Sequence, residues 1–446
     1  MQVRQIFSEI VASRRSGRPC GLVSICSAHP AVIRAALEQA ADDDRPVLIE
    51  ATSNQVNQHG GYTGMSPHQF RAFVEGEARA MRFPLDRLLL GGDHLGPYPW
   101  RGLAADDAMT EARKLVEACA RAGYGKLHLD ASMPLGGDAT DRNGALPPHI
   151  AAKREAELAA AAESVCDGTD RPVYVIGTEV PTPGGMTDED DPIRVTRPED
   201  LEQTVELCRS AFFAKGLDDA WNRVCAVVVQ PGVEFGDHAV HAYCREKAAP
   251  LVHAARRLVN VVLEGHSTDY QSPGNLRELV DDGVAVLKVG PALTFAMRES
   301  LIAMERIETE LVRYGMLGDT DGLSHLTDTL EEVMIGDPRH WAGHYTGTAC
   351  HQHFCRFYSY RDRIRYYWRV PAVEASVRRL LVNLESTEIP AGLYSQFAGG
   401  SYSSLRNRDL PVSPARLIVE SVRCVLRDYV SAVRCAHETD LRASRR

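Results

Sequence analysis

The sequence predicts an α/β protein: a closed (β/α)8 TIM barrel with a C-terminal helical extension. Three observations carry that expectation. Eight short β-rich apolar runs alternate with helical segments between residue 20 and about residue 290. Each run is continuous rather than alternating in polarity, the pattern of parallel strands buried on both faces. From Leu293 onward the pattern is helical only. Eight successive β/α units favour closure. The competing doubly wound open sheet would carry a glycine-rich phosphate turn after its first strand, and GLVSICSAHP has none.

Taken in order, MQVRQIFSEIVASRR reads as an amphipathic first helix, without the long apolar core of a signal peptide. The eight strands are GLVSICSAHP, PVLIEATSN, LLLGGDH, KLHLDAS, VYVIGTEV, CAVVVQPG, NVVLEGHS and VAVLKVGP. Between them, helices are expected over 31–41, 67–81, 107–122, 149–165, 198–215, 240–258 and 275–282. Ser66-Pro67 and Thr196-Arg197-Pro198 place a hydroxyl before an early proline, as helix starts prefer. Further helices are expected over 294–313, 323–334, 354–370, 372–384 and 413–435, with the Ser/Gly/Asn-rich stretch 399–411 as a loop. This divides the chain into a barrel over 1–315 and a packed extension over 316–446.

A net charge of −10 argues against nucleic acid, and the Arg-rich stretch 356–369 reads as a salt-bridged helix face. No run approaches the roughly 18 apolar residues of a membrane span. None of the eleven cysteines forms a CxxC pair, and Cys26 and Cys225 lie in apolar runs where a reduced thiol packs as a small hydrophobe. A cytoplasmic homo-oligomer is the expectation.

Barrel proteins present their chemistry at the C-terminal ends of the strands. His94, His238 and His266 follow different strands and would converge on one rim. Three neutral imidazoles leave one position open on a catalytic zinc, although manganese, cobalt or nickel suit the same donors. Asp93, Glu179 and Glu50 are the candidate catalytic carboxylates, with Glu179 alternatively a fourth ligand. Adjacent residues on a strand point in different directions, so Asp93 would face substrate while His94 binds metal. Glu50 and Glu234 are the alternative as two opposed bases. Asn54, Asp130, Ser132, Gln230, Asp269 and Lys288 are the candidate substrate contacts. Lys288 would either form a Schiff base or pair with a carboxylate. The cluster Cys350-His351-Gln352-His353-Phe354-Cys355 fits no common zinc module and reads as helix packing.

The chain resembles the accessory subunits of bacterial class II tagatose-bisphosphate aldolase, sometimes labelled tagatose-6-phosphate kinase. The matching segments include CSAHP at 26–30, LIEATSNQVNQHGGYTGM at 48–65, GGDHLGP at 91–97, YVIGTEVPTPGG at 174–185, VVQPGVEF at 228–235, HSTDYQ at 266–271 and DRIRYYW at 362–368. No kinase phosphate loop is present. The family is similar in turn to the class II aldolases, which implies Asp93 as acid/base, His94, His238 and His266 as metal ligands, and Glu179 as the carboxylate near the metal. Where those enzymes bind phosphate, this chain reads GHSTDYQ and VGPALT. Two functions follow from the resemblance. The first is a metal-dependent ketohexose 4-epimerase interconverting tagatose and fructose by retro-aldol cleavage and re-addition. The alternative is a non-catalytic subunit that stabilises a separate class II aldolase chain. Arg363, Arg365, Tyr366 and Tyr367 of the extension would either reach the barrel mouth or serve packing alone.

Overall fold

The structure, a computed structural model, describes residues 3–141, 144–166, 168, 170–178, 180, 193–317 and 322–434. Strands β1 (Leu22–Cys26), β2 (Val47–Thr52), β3 (Leu88–Leu95), β4 (Lys126–Leu129), β5 (Val173–Ile176), β6 (Val224–Val229), β9 (Val262–Gly265) and β10 (Val284–Val289) form one closed parallel barrel. Closure is made by β1 against β10, with Leu22 opposite Val286 and Ile25 opposite Val289. Helices intervene between the strands, and further helices follow to Val433. The strands named from sequence are all present. A two-stranded hairpin, β7 (Glu234–Phe235) and β8 (Val240–His241), is an addition after β6.

The barrel interior has two layers of opposite character. At the N-terminal end, Leu22, Leu48, Leu89, Val173, Val175, Ala226, Val228, Val262 and Val286 pack with Ile6, Phe7 and Ile10 of helix Val3–Arg15, which plugs that end. At the C-terminal end the inward positions are charged. Lys126 and His128 on β4 alternate with Leu127 and Leu129, and Glu264 on β9 precedes His266 by two residues. Period-two alternation sends each such pair to one face of its strand.

Most helices begin as expected, and Ser66 makes a full capping box with Gln69. Four segments depart. Helix Pro198–Ala214 has no side-chain cap; the Thr196 hydroxyl instead accepts from the Gln230 amide at 2.9 Å. Residues 240–258 open as strand, because Val240 and His241 pair with Phe235 and Glu234, and the helix starts only at Arg245. The expected helix 354–370 breaks into Ala349–Tyr358 and a 3-10 turn, Arg363–Tyr366. The break falls at Asp362, whose backbone is left-handed at φ 45° while its carboxylate accepts from Thr294 at 2.6 Å and faces Arg298. The expected loop 399–411 is largely helix, Gly399–Asn407, because Tyr402 and Leu405 are buried beside helix Pro414–Val433. No described helix is long and apolar enough to cross a membrane.

Helix Pro414–Val433 packs on helices Pro30–Asp43, Pro273–Asp281 and Pro291–Arg313, all beside the seam where β1 meets β10. The Gly21 amide donates to the Val433 carbonyl at 3.0 Å, and the Tyr429 hydroxyl donates to the Thr268 carbonyl at 2.6 Å.

Glu155 is buried on helix Pro148–Glu163, accepting from the Gly177 amide and the Cys208 thiol, each at 3.2 Å. Burial pushes its carboxyl up to about 8, and the two hydrogen bonds only partly oppose that rise. An acid raised in the folded state contributes its stability below the unfolded value, near 4.3, and loses it as pH rises through the folded value. Glu155→Gln is expected to match the parent below about pH 4 and to exceed its stability by on the order of 2–4 kcal/mol above pH 8. Urea midpoints across that range measure it; parallel pH profiles would discard the assignment.

Candidate functional site

Strand β3 sets the centre of the barrel mouth. Its register against β4 shifts between Gly92 and Leu95, and His94 takes a left-handed backbone at φ 46°. A bulge cancels the strict alternation of a strand. Asp93 and His94 therefore both face the mouth, rather than dividing between substrate and metal as a regular strand would require.

Around them lies a fully buried ion-pair network. The Lys126 ammonium sits 2.9 Å from Glu50 and 2.9 Å from Glu264. The Lys288 ammonium lies 2.6 Å from Glu50, 2.8 Å from Asp93 and 3.4 Å from Glu264. Burial disfavours the charged form of Asp93, but His94, Lys288 and the His128 hydrogen bond outweigh it and hold the carboxyl well below its usual range. Burial likewise opposes the charge on Glu264, where Lys126 and Lys288 win. For Lys288 burial works against the ammonium, and Asp93 with its neighbouring acids keeps it protonated. Of the two arrangements expected for Lys288, the geometry is that of an ion-pair partner among Glu50, Asp93 and Glu264.

Three imidazoles converge, and the third is not the expected one. The rings of His94, His128 and His266 lie 4.8–5.1 Å apart, centre to centre. His238 is not brought to them; it stands in the β7–β8 turn, against His351 and Phe354. Donor atoms of Asp93, His128, Glu264 and His266 all fall within 4.8 Å of one another, a buried cluster of the kind that holds a divalent ion. Two observations fit such an ion. Asp93, Asp130, Glu50 and Glu264 face two ammonium groups and the His94 imidazole, four acids against at most three cations. The Nε2 atom of His128 is buried with no hydrogen-bond partner among the described residues, while its Nδ1 lies 2.9 Å from Asp93. Asp130 orients His94, which stands beside this cluster and outside its donor set, through Nδ1 at 2.7 Å. Burial drives His266 down to about 3, so it stands neutral beside Glu264.

Above the network opens a small pocket of about 80 Å³, lined by Asn54, Tyr62, Asp269, Arg365 and Tyr366 as well as Asp93, His94, His266 and Lys288. Arg365 and Tyr366 thus reach the mouth from the extension. Arg363 and Tyr367 do not line it and bond instead to the His340 and Asp337 carbonyls.

The remaining candidates take local roles. Asp130 accepts from the Ser132 hydroxyl at 2.7 Å, so both support His94. Gln230 accepts from the Gly232 and Val233 amides and closes its own turn. Glu50 is sealed in the ion-pair network. Glu234 accepts from its neighbour Phe235, and burial pushes it up to about 7. Glu179 lies outside the described residues. Asp269 accepts from the Gly290 and Ala292 amides at 3.0 and 2.8 Å. Those amides open helix Pro291–Arg313, a position suited to a phosphate, and a carboxylate of the chain already fills it.

Fold and site together define a (β/α)8 barrel protein with an ion-paired, ligand-rich mouth. The chain belongs to the GatZ/KbaZ-like family of D-tagatose-1,6-bisphosphate aldolase subunits, whose family model matches residues 7–434. It is 44% identical to the D-tagatose-1,6-bisphosphate aldolase subunit GatZ of Salmonella gallinarum, over 95% of this chain and 98% of that one. The protein of the same name from Salmonella enteritidis PT4 matches with the same identity and coverage. A crystal structure from Sinorhizobium meliloti 1021, described as a probable tagatose 6 phosphate kinase, superposes with a TM-score of 0.83 at 46% identity, covering 92% of this chain and all of that one.

These relatives overturn the expectation of a stand-alone metal-dependent epimerase, since they are named as aldolase subunits and not as isomerases. The geometry gives a physical reason. Asp93, the carboxylate assigned to take a hydroxyl proton, is instead engaged by Lys288 at 2.8 Å and His128 at 2.9 Å, which hold its carboxyl well below its usual range.

Proposed function

We propose that this chain is the non-catalytic accessory subunit of a class II tagatose-1,6-bisphosphate aldolase, binding and stabilising a separate catalytic chain. The 44% identity along nearly its whole length to proteins named as subunits of that aldolase carries the reading. The mouth supports it: its central acid is locked in ion pairs, and its helix N-terminus is occupied by Asp269. The same mouth is suited to bind rather than turn over a ketose, with Asn54, Asp269, Arg365 and Lys288 lining the pocket. A divalent ion, zinc by its imidazole and carboxylate donors, would be held by Asp93, His128, Glu264 and His266. Bound there, it would supply a Lewis-acid contact for a ligand oxygen.

The test is reconstitution with the catalytic chain of a class II tagatose-bisphosphate aldolase. Co-elution on size exclusion and a longer half-life of aldolase activity are expected, with no cleavage of tagatose 1,6-bisphosphate by this chain alone. Failure to co-elute together with an unchanged half-life would overturn the proposal, as would turnover by the isolated chain. For the ion, His128→Ala is expected to weaken zinc retention at the mouth by at least roughly 10- to 100-fold, read by competition with a chromophoric chelator. Unchanged affinity would remove His128 from the ligand set.

A further inference from the structure

His238 leaves the barrel mouth for a second constellation with different chemistry. It stands in the turn between β7 and β8, exposed, with its ring 5.4 Å from that of His351. His351 and Cys355 lie one helical turn apart on Ala349–Tyr358, so both project from the same face. The Cys355 sulfur is 3.4 Å from His351 Nε2, and donor atoms of all three residues fall within 4.8 Å of one another. Phe354 closes one side, its ring 5.4 Å from His238.

Zinc bonds of about 2.0–2.1 Å to nitrogen and 2.3 Å to sulfur place tetrahedral donors roughly 3.3–3.7 Å apart. The Cys355–His351 pair already has that spacing, and His238 needs only a small side-chain rotation at an exposed position. The backbone around His238 is fixed toward the helix. Its neighbour Asp237 accepts from the Ser359 hydroxyl at 2.6 Å and, through its carbonyl, from the Tyr360 amide at 3.2 Å. The two sources of ligands are therefore held in register before any ion arrives.

We infer that His238, His351 and Cys355 form a second metal site, for zinc or a similarly thiophilic divalent ion, that fastens the β7–β8 hairpin of the barrel to the helical extension. One thiolate with two imidazoles selects such ions over magnesium or calcium, which demand oxygen ligands. Binding replaces the thiol proton, which leaves to solvent, and the fourth coordination position is open to water. Because Phe235 of the same hairpin lines the mouth pocket, the ion would also steady one wall of that pocket.

Cobalt(II) is the probe, added to the full-length apoprotein. A thiolate-to-cobalt charge-transfer band in the near ultraviolet is expected, displaced by one equivalent of zinc. Cys355→Ser should abolish the band. His238→Gln, an exposed substitution that leaves the core intact, should weaken cobalt affinity at this site by at least roughly tenfold. His128→Ala should keep the band, which separates this site from the mouth. Absence of the band in the parent, or its survival at unchanged affinity in folded Cys355→Ser and His238→Gln, would overturn the inference. Loss of the band in His128→Ala would overturn the inference too, moving the thiolate contact to Cys26, whose sulfur lies 3.5 Å from Asp93 at the mouth.

Discussion

Lys126→Met is expected to destabilise the protein by about 3–5 kcal/mol, the cost of leaving a buried charge without its partner. The Lys126 ammonium is fully buried between Glu50 and Glu264, at 2.9 Å from each. Methionine fills much of the same space but leaves Glu264 with Lys288 at 3.4 Å as its remaining ammonium partner, beside His266 at 3.2 Å. Neutralising that acid should recover most of the loss, so Lys126→Met combined with Glu264→Gln is expected to sit within about 1–2 kcal/mol of the parent, a coupling of the size that neighbouring charges show. Urea denaturation of the parent, both single variants and the pair closes the cycle. Additive losses would mean that the network does not act as a unit.

Gly96→Ala is the second large effect. A side chain there would stand 1.6 Å from the Asp130 carbonyl oxygen, a backbone atom that cannot swing aside. That backbone is already held by the Asp130 amide donating to Leu95 at 3.1 Å. The loss expected is about 3–5 kcal/mol, in the class of severe local clashes. Displacing Asp130 would also release its 2.7 Å grip on His94 at the centre of the mouth. Gly392→Ala is the matched control: it lies in helix Ala391–Phe397 with open space around it and should be neutral or gain up to about 1 kcal/mol. A Gly96 variant as stable as this control would contradict the close approach of the two backbones.

The barrel was legible because eight continuous apolar runs, each followed by a helix, leave few architectures that bury them. The mouth was legible in part. Asp93, His94, His266 and Lys288 end their strands, where side chains of a barrel meet solvent and ligand. Lys126, His128 and Glu264 were passed over because each lies among apolar neighbours and looks like an interruption of a core strand. Their spacing was the available signal: Lys126, His128 and Asp130, like Glu264 and His266, fall two apart and share the inner face. His238 was misplaced because the hairpin after β6 carries it away, and a two-residue strand pair leaves almost no trace in composition. The helix Gly399–Asn407 was hidden for the opposite reason. Its glycines and serines favour a loop, and only burial of Tyr402 and Leu405 against a distant helix makes it regular.

Helix Pro414–Val433, the last described helix, lies across the seam between β1 and β10. During synthesis the eighth strand leaves the ribosome more than a hundred residues before this helix does. Through that interval the nascent barrel exposes the apolar flank that Leu417, Val422 and Leu426 later cover. At translation speeds of about 5–20 residues per second, the exposed period lasts several seconds or longer. Chaperone dependence in the cell should therefore track elongation rate over the final third of the message, even for a chain whose mature fold is robust.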